Sequence, residues 1–225
     1  MAGYGQFCSV AMALDVVGER WTLLIVRELI SGSHRFADVL RGVPRMSRTL
    51  LSRRLRSLRD AGLVERREVD GGHEYHLTEA GRALEPVVMS LGIWGQRFAH
   101  DHLAEEHLDP ELLMWDLQRR LDVSALPARP TVVQFWFRDA PTKRSRFWLR
   151  LERPAVELCV NNPGLHVDLK VETCCRTMVE VWTCRRDLQA ALRCGEVELD
   201  GPRELREAFP RWLLLNVFAA YAERG

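Results

Sequence analysis

Apolar residues recur at helical spacing through the first third of the chain and at alternate positions after residue 130. The clearest helix follows Ser47, a good N-cap, with Leu51, Leu55 and Leu58 repeating on one face. Stepping 100° per residue from Leu51 places Thr49, Ser52, Arg53 and Arg56 on the opposite side and Arg48 and Arg59 on one shoulder. Arg54 falls at the edge of the buried face, where a structural ion pair is as good a reading as an exposed charge. Ala61-Gly62 stops the helix, Leu63 and Val64 anchor its exit, and Asp70-Gly71-Gly72 turns a hairpin whose arms carry Val69, Tyr75 and Leu77. Upstream, residues 36–40 predict a short helix, broken at Gly42-Val43-Pro44. That succession is a helix-turn-helix followed by a wing. Two further helices are expected over 7–17 and 19–30, the second with Trp21, Leu24, Ile25 and Leu29 as its apolar stripe. After the wing, Leu84, Val87, Val88, Leu91, Trp94 and Phe98 make a stripe longer than a small winged helix needs for its own core.

Beyond residue 100 the period changes. Strands are expected at 131–137, 146–152, 155–161 and 166–172, the first two joined by a polar turn at 139–145 and the last two lying around Asn162-Pro163-Gly164. Helices follow at 176–182, 187–193 and from 202 to 209 or beyond, with a short strand at 196–199. The expected class is α+β, a winged helix-turn-helix followed by an antiparallel sheet with covering helices. Two prolines between 124 and 130 mark the boundary, giving a first domain at 1–107, a helix and linker at 108–130 and a second domain at 131–225.

Charge sharpens the first half. The 225-residue chain has a net charge of only +1, yet between Arg41 and Arg67 nine arginines stand against two acids, Asp60 and Glu65, a local +7. A solvated helix face is the ordinary explanation of such a run, but on the second helix of a helix-turn-helix it is the footprint of phosphate neutralisation and groove reading. Arg48, Thr49, Ser52 and Arg53 are the candidates for base edges and nearby phosphates, with Arg56 nearer the backbone, and Arg66, Arg67 and His73 are the wing's candidates for phosphate or minor-groove contact.

Other chemistry is sparse. Six cysteines show no CxxC spacing and read as reduced thiols, without a zinc site. His34, His73, His76, His100, His102, His107 and His166 are scattered, and no nucleophile-base-acid arrangement or phosphate-cradling glycine loop is visible, so neither an enzyme, a cofactor nor a metal is expected. There is no basic-then-apolar leader, and the apolar stretch at 212–222 is interrupted by Asn216 and too short to span a bilayer, which makes a cytoplasmic protein without a membrane partner the expectation.

The segments FCSVAMALDVVGERWTLLIVREL, RFADVLRGVPRMSRTLLSRRLRSLRDAGLVERR and YHLTEAGRALEPVV together resemble the HxlR family of bacterial winged-helix transcriptional regulators, over about residues 7–98. The resemblance includes the leading cysteine, the Gly-x-x-Trp-Thr step at 18–22, the Arg-Phe pair and the Leu-Thr-x-x-Gly exit from the wing. It implies a homodimer joined through 3–17 and 79–107, and hence a palindromic double-stranded DNA operator, with repression as the expected sense of control. Cys8 occupies the position of the family's cysteine, a thiol that some members use to sense oxidants or electrophiles, while a small apolar residue packed at the dimer interface is the competing reading.

The run LQAALRCGEVELDGPRELREAFPRWL resembles the end of the sterol-carrier-like fold, extending over about 131–222. That resemblance implies a pocket for a small hydrophobic effector, with Trp115, Phe135, Phe137, Trp148 and Trp182 as candidate lining, each of which also reads as ordinary core. A thiol sensor acting through Cys8 and a lipid or small-molecule carrier are the alternatives to a ligand-controlled regulator.

Overall fold

A computed structural model describes residues 3–99 and 103–221, so His100 and His102 lie outside the described residues. The chain divides into two compact units, Met1–Gly92 and Ile93–Gly225.

In the first unit α1 (Ser9–Val17), α2 (Thr22–Ile30), α3 (Phe36–Gly42) and α4 (Arg48–Asp60) precede a hairpin of β1 (Val64–Val69) and β2 (Gly72–Leu77). The Ser47 hydroxyl accepts from the Leu50 amide at 3.2 Å, a cap worth about 1 kcal/mol. Leu51, Leu55 and Leu58 then bury against Ile25, Val26, Leu29, Val39, Val64 and Leu77, so one leucine stripe organises the whole unit. α2 begins three residues later than its apolar pattern predicts. Trp21 sits at φ +80, in the left-handed region, and no α-helix runs through that conformation. The helix is also rotated from the expected stripe: Val26 and Glu28 are buried, and Leu24 is turned outward.

The segment after the wing, 79–107, is not one continuous helix. It forms as α5 (Glu79–Arg82) and α6 (Glu85–Phe98), with a separate 3₁₀ turn at Glu105–His107. Pro86 explains the first break, because it has no N–H for the Arg82 carbonyl and its ring excludes that carbonyl from an unbroken helix. α6 leaves Val87, Leu91, Trp94 and Phe98 exposed, and α1 with its preceding residues leaves Phe7, Val10, Met12, Leu14 and Val16 exposed.

The second unit contains α7 (Pro110–Arg119), β3 (Thr131–Phe137), β4 (Arg146–Glu152), β5 (Ala155–Cys159), β6 (Leu169–Thr173), α8 (Cys175–Trp182), α9 (Leu188–Arg193), β7 (Val197–Asp200) and α10 (Arg203–Trp212). The five strands form one sheet in the order β5-β4-β3-β6-β7. The sheet is mixed rather than antiparallel, because β6 runs parallel to β3, with Val133 beside Leu169 and Phe137 beside Thr173. β5 and β6 do not pair around Asn162-Pro163-Gly164: β5 closes the edge against β4, and residues 160–168 carry the chain to the far side of β3. On the covered face Val133, Phe135, Phe137, Phe147, Leu149, Leu169 and Val171 pack against Met114 and Leu117 of α7, Met178 and Val181 of α8, and Leu205, Phe209 and Trp212 of α10. The C-terminal part of α6 is tied in by Gln96, whose side-chain amide donates to the Thr183 carbonyl at 2.9 Å and whose backbone carbonyl accepts from Arg185 at 2.8 Å.

Candidate nucleic-acid interface

The leucine stripe of α4 decides what the helix presents to solvent. With Leu51, Leu55 and Leu58 buried, Arg48, Thr49, Ser52, Arg53 and Arg56 are all exposed. Arg48 differs from the others in having its guanidinium 5.5 Å from the centroid of the Phe36 ring. Arg54 is structural: it is ion-paired with Glu19, its Nε donates to the Arg20 carbonyl at 3.3 Å, and its side chain is only 13% exposed. That pair ties α4 to the turn between α1 and α2. Arg41 and Arg45, at the helix-turn-helix turn, are exposed as well. They entered the sequence reading as charge and not as contacts.

The wing's three candidates do not share a face. Arg66 lies opposite Tyr75 and Arg67 opposite Glu74, so the alternation of the strand points them to opposite sides. Arg66 lies against Nε2 of His73, with Nη2 2.5 Å from it. Arg67 is turned to Glu65, with Nε donating to the carboxylate at 2.9 Å. The hairpin is anchored from a segment that its sequence does not mark. The His34 carbonyl accepts from the Tyr75 amide at 2.8 Å, the rings of His34 and His76 stack with centroids 4.2 Å apart, and Arg35 reaches Glu74 at 3.8 Å.

Two hydrogen-bonded features hold this surface in place. At the root of the wing, Thr78 Oγ1 donates to the Gly62 carbonyl at 2.7 Å and accepts from the Gly81 amide at 3.1 Å, while the Thr78 amide donates to the Leu63 carbonyl at 3.1 Å. This is the physical content of the Leu-Thr-x-x-Gly pattern. Beneath the helix-turn-helix, the fully buried Glu28 accepts from Arg27 at 2.7 Å and from the Ser33 hydroxyl at 3.1 Å, and Arg27 also donates to the Gly42 carbonyl at 2.8 Å. A lone Glu in an apolar helix carries no signal of such burial.

Cys8 is exposed at the N-cap of α1. The backbone amides of Ala11 and Val10 hold its thiol below the usual thiol range, and burial opposes them only weakly. Cys175 is the opposite case, pushed up to about 12 first by burial and then by Asp139. Burial, with Glu157 behind it, also raises Cys159. Limiting iodoacetamide near neutral pH is expected to alkylate Cys8 well before Cys159 and Cys175, read by peptide mass spectrometry. Earlier labelling of Cys175 would contradict this ordering.

In the second unit, Phe135, Phe137 and Trp182 belong to the packed core. Trp148 lies on the other face of the sheet, opposite Gln134 and Cys159, out of phase with the inward Phe147 and Leu149. Trp115 is buried on α7 with the Arg119 guanidinium 5.1 Å from its ring. The five aromatic candidates therefore do not converge on one cavity. A hollow of about 180 Å³ is lined by Val181, Cys184, Leu188, Pro210, Leu213 and Leu215, among others. Among the described residues no group of three or more His, Cys, Asp or Glu is placed to hold a metal ion, and no helix is long and apolar enough to cross a membrane.

Residues 16–103 match the family described as HxlR-like helix-turn-helix. An HTH-type transcriptional regulator of Mycobacterium bovis is 42% identical over 120 residues, which span 47% of this chain and 74% of that protein. The chain belongs to the HxlR-like helix-turn-helix family. It is accordingly a DNA-binding transcription regulator. The HTH-type transcriptional regulator YdeP of Bacillus subtilis is 34% identical over 94 residues that span 40% of this chain and 73% of that one. Among solved structures, the redox regulator HypR in its oxidised form is 37% identical, covering 40% of this chain and 95% of that one with a TM-score of 0.37.

Proposed function

We propose that the chain is a homodimeric repressor that reads a palindromic operator with α4, contacting base edges and nearby phosphates through Arg48, Thr49, Ser52 and Arg53 and the backbone through Arg56. The observation that carries this reading is the outward face of α4, where all five are exposed over a fully buried leucine stripe. Arg66 and His73 approach the duplex from one side of the wing, and Arg67 from the other once Glu65 releases it. The dimer forms through the exposed apolar residues of α1 and α6. The domains follow the boundaries 1–107, 108–130 and 131–225, and the protein acts in the cytoplasm without catalysis. The last domain is sterol-carrier-like and receives a small hydrophobic effector; the hollow between α8, α9 and residues 213–215, apolar at Val181, Leu188, Leu213 and Leu215 and polar at Arg186, Asp187 and Gln189, supports that role.

The test is fluorescence anisotropy on duplexes that the protein itself selects from a random pool. The expected result is saturable, salt-dependent binding of two protomers per palindrome, with Arg53→Ala weakening it by about 1 to 3 kcal/mol. Equal affinity for selected and scrambled duplexes would sink the reading. A second mode of control, through Cys8, is favoured by the exposure of its thiol and its shift toward thiolate. Peroxide then weakens operator binding in the parent and leaves Cys8→Ser bound; equal loss in both removes that mode.

A further inference from the structure

We infer that Phe36 is a positioning residue for sequence readout, its ring holding the Arg48 guanidinium in the pose that α4 offers to a base pair. The inference rests on the DNA-reading role of α4 and adds a residue that does not touch DNA. Phe36 opens α3 and is half-buried, one side packed on the core of the first unit. Its ring is therefore a fixed base. Arg48, the first residue of α4, is exposed and has its guanidinium 5.5 Å from that ring's centroid.

An exposed arginine samples many rotamers, and docking it on a base freezes them at a cost. A guanidinium attracted to a π face loses part of that freedom beforehand, and it keeps its charge, because the ring does not neutralise it as a carboxylate would. Arg54, two turns along, shows the alternative: its partner is Glu19, and it is spent. The planar fork of Arg48 remains available for two acceptors at once, which is how arginine distinguishes guanine. A contact with a phosphate in non-operator DNA needs only the charge. The ring should therefore matter for discrimination and not for general attraction.

The experiment compares the parent, Phe36→Leu, Phe36→Tyr, Arg48→Lys and the Phe36→Leu/Arg48→Lys double variant on a selected operator and on a scrambled duplex of the same length, across a salt series. Phe36→Leu is expected to weaken operator binding by about two- to fivefold, the scale of an exposed cation–π contact, with the scrambled-duplex affinity and the salt slope unchanged. Phe36→Tyr keeps the ring and should match the parent, and the double variant should bind no more weakly than Arg48→Lys alone. A melting curve checks that Phe36→Leu remains folded at the assay temperature. Equal weakening on both duplexes, additive losses in the double variant, or a Phe36→Tyr as impaired as Phe36→Leu overturns the assignment. A parent that discriminates while Phe36→Leu matches it overturns this inference alone. A parent with no operator preference overturns the DNA-reading role of α4 and this inference with it.

Discussion

Gly81→Ala is expected to destabilise the first unit by about 3 kcal/mol, the upper end for forcing atoms into a packed site. A Cβ at this position would lie 2.0 Å from the Leu63 carbonyl oxygen and 3.0 Å from a Leu77 methyl. The oxygen cannot swing aside as a side chain would. It belongs to the backbone that leaves α4 and enters β1, and it already accepts from the Thr78 amide. Relief therefore requires the whole root of the wing to open. For a unit of this size the loss corresponds to a fall in melting temperature of more than about 10 °C, measurable by scanning calorimetry and accompanied by loss of operator binding above the new transition. Gly95→Ala, a helical glycine in the second unit where a Cβ meets nothing within 4 Å, controls for the change of residue type alone. A Gly81→Ala protein that melts within about 2 °C of the parent would show that the root is more compliant than its packing implies.

Glu28→Ala comes next, with an expected cost of about 3 kcal/mol, because it empties a fully buried site and leaves the Ser33 hydroxyl without its carboxylate partner. Its hydrogen bonds to Arg27 and Ser33 go at once. The consequence reaches Gly42, whose added Cβ would fall 1.9 Å from the Glu28 carboxyl carbon. Gly42→Ala alone is therefore also expected to be severe, by overpacking. Combined with Glu28→Ala, however, the new methyl enters space that the carboxylate has vacated. The double variant should be more stable than the sum of the two losses predicts, by at least about 1 kcal/mol, as contacting sites couple. Additive losses in urea denaturation would mean that the two residues do not share that space.

The elements legible from the sequence were those with local causes. Ser47 caps α4 through an amide three residues away, the leucine stripe lies within one helix, and the Asp70-Gly71-Gly72 turn sits between its own arms. What the sequence hid is non-local. The alternation in β5 and β6 is the same whether the strands pair with each other or are separated by β4 and β3, so strand order could not be read from it. The docking of His34 on Tyr75 joins residues 41 apart with no composition signal. At the candidate interface, the exposure of Arg48, Thr49, Ser52, Arg53 and Arg56 followed from the position of the leucines, whereas the division of the wing between Arg66 and Arg67 required the hairpin register. The place of Trp148, named as candidate lining, was readable too: Phe147, Leu149 and Leu151 alternate inward, which puts the tryptophan between them on the other face.

The position of β3 at the middle of its sheet has a bearing on how the chain matures. β3 gains its second neighbour only when β6 exists, and β6 gains its own only with β7, so closure of the sheet waits for residues 197–200. The first unit is built from short-range helices and one tight hairpin. Contacts that are near in sequence form quickly, and those that span long loops form slowly. On the ribosome, where domains mature in order of emergence, the DNA-reading unit is complete while the strands that will flank β3 are still being synthesised.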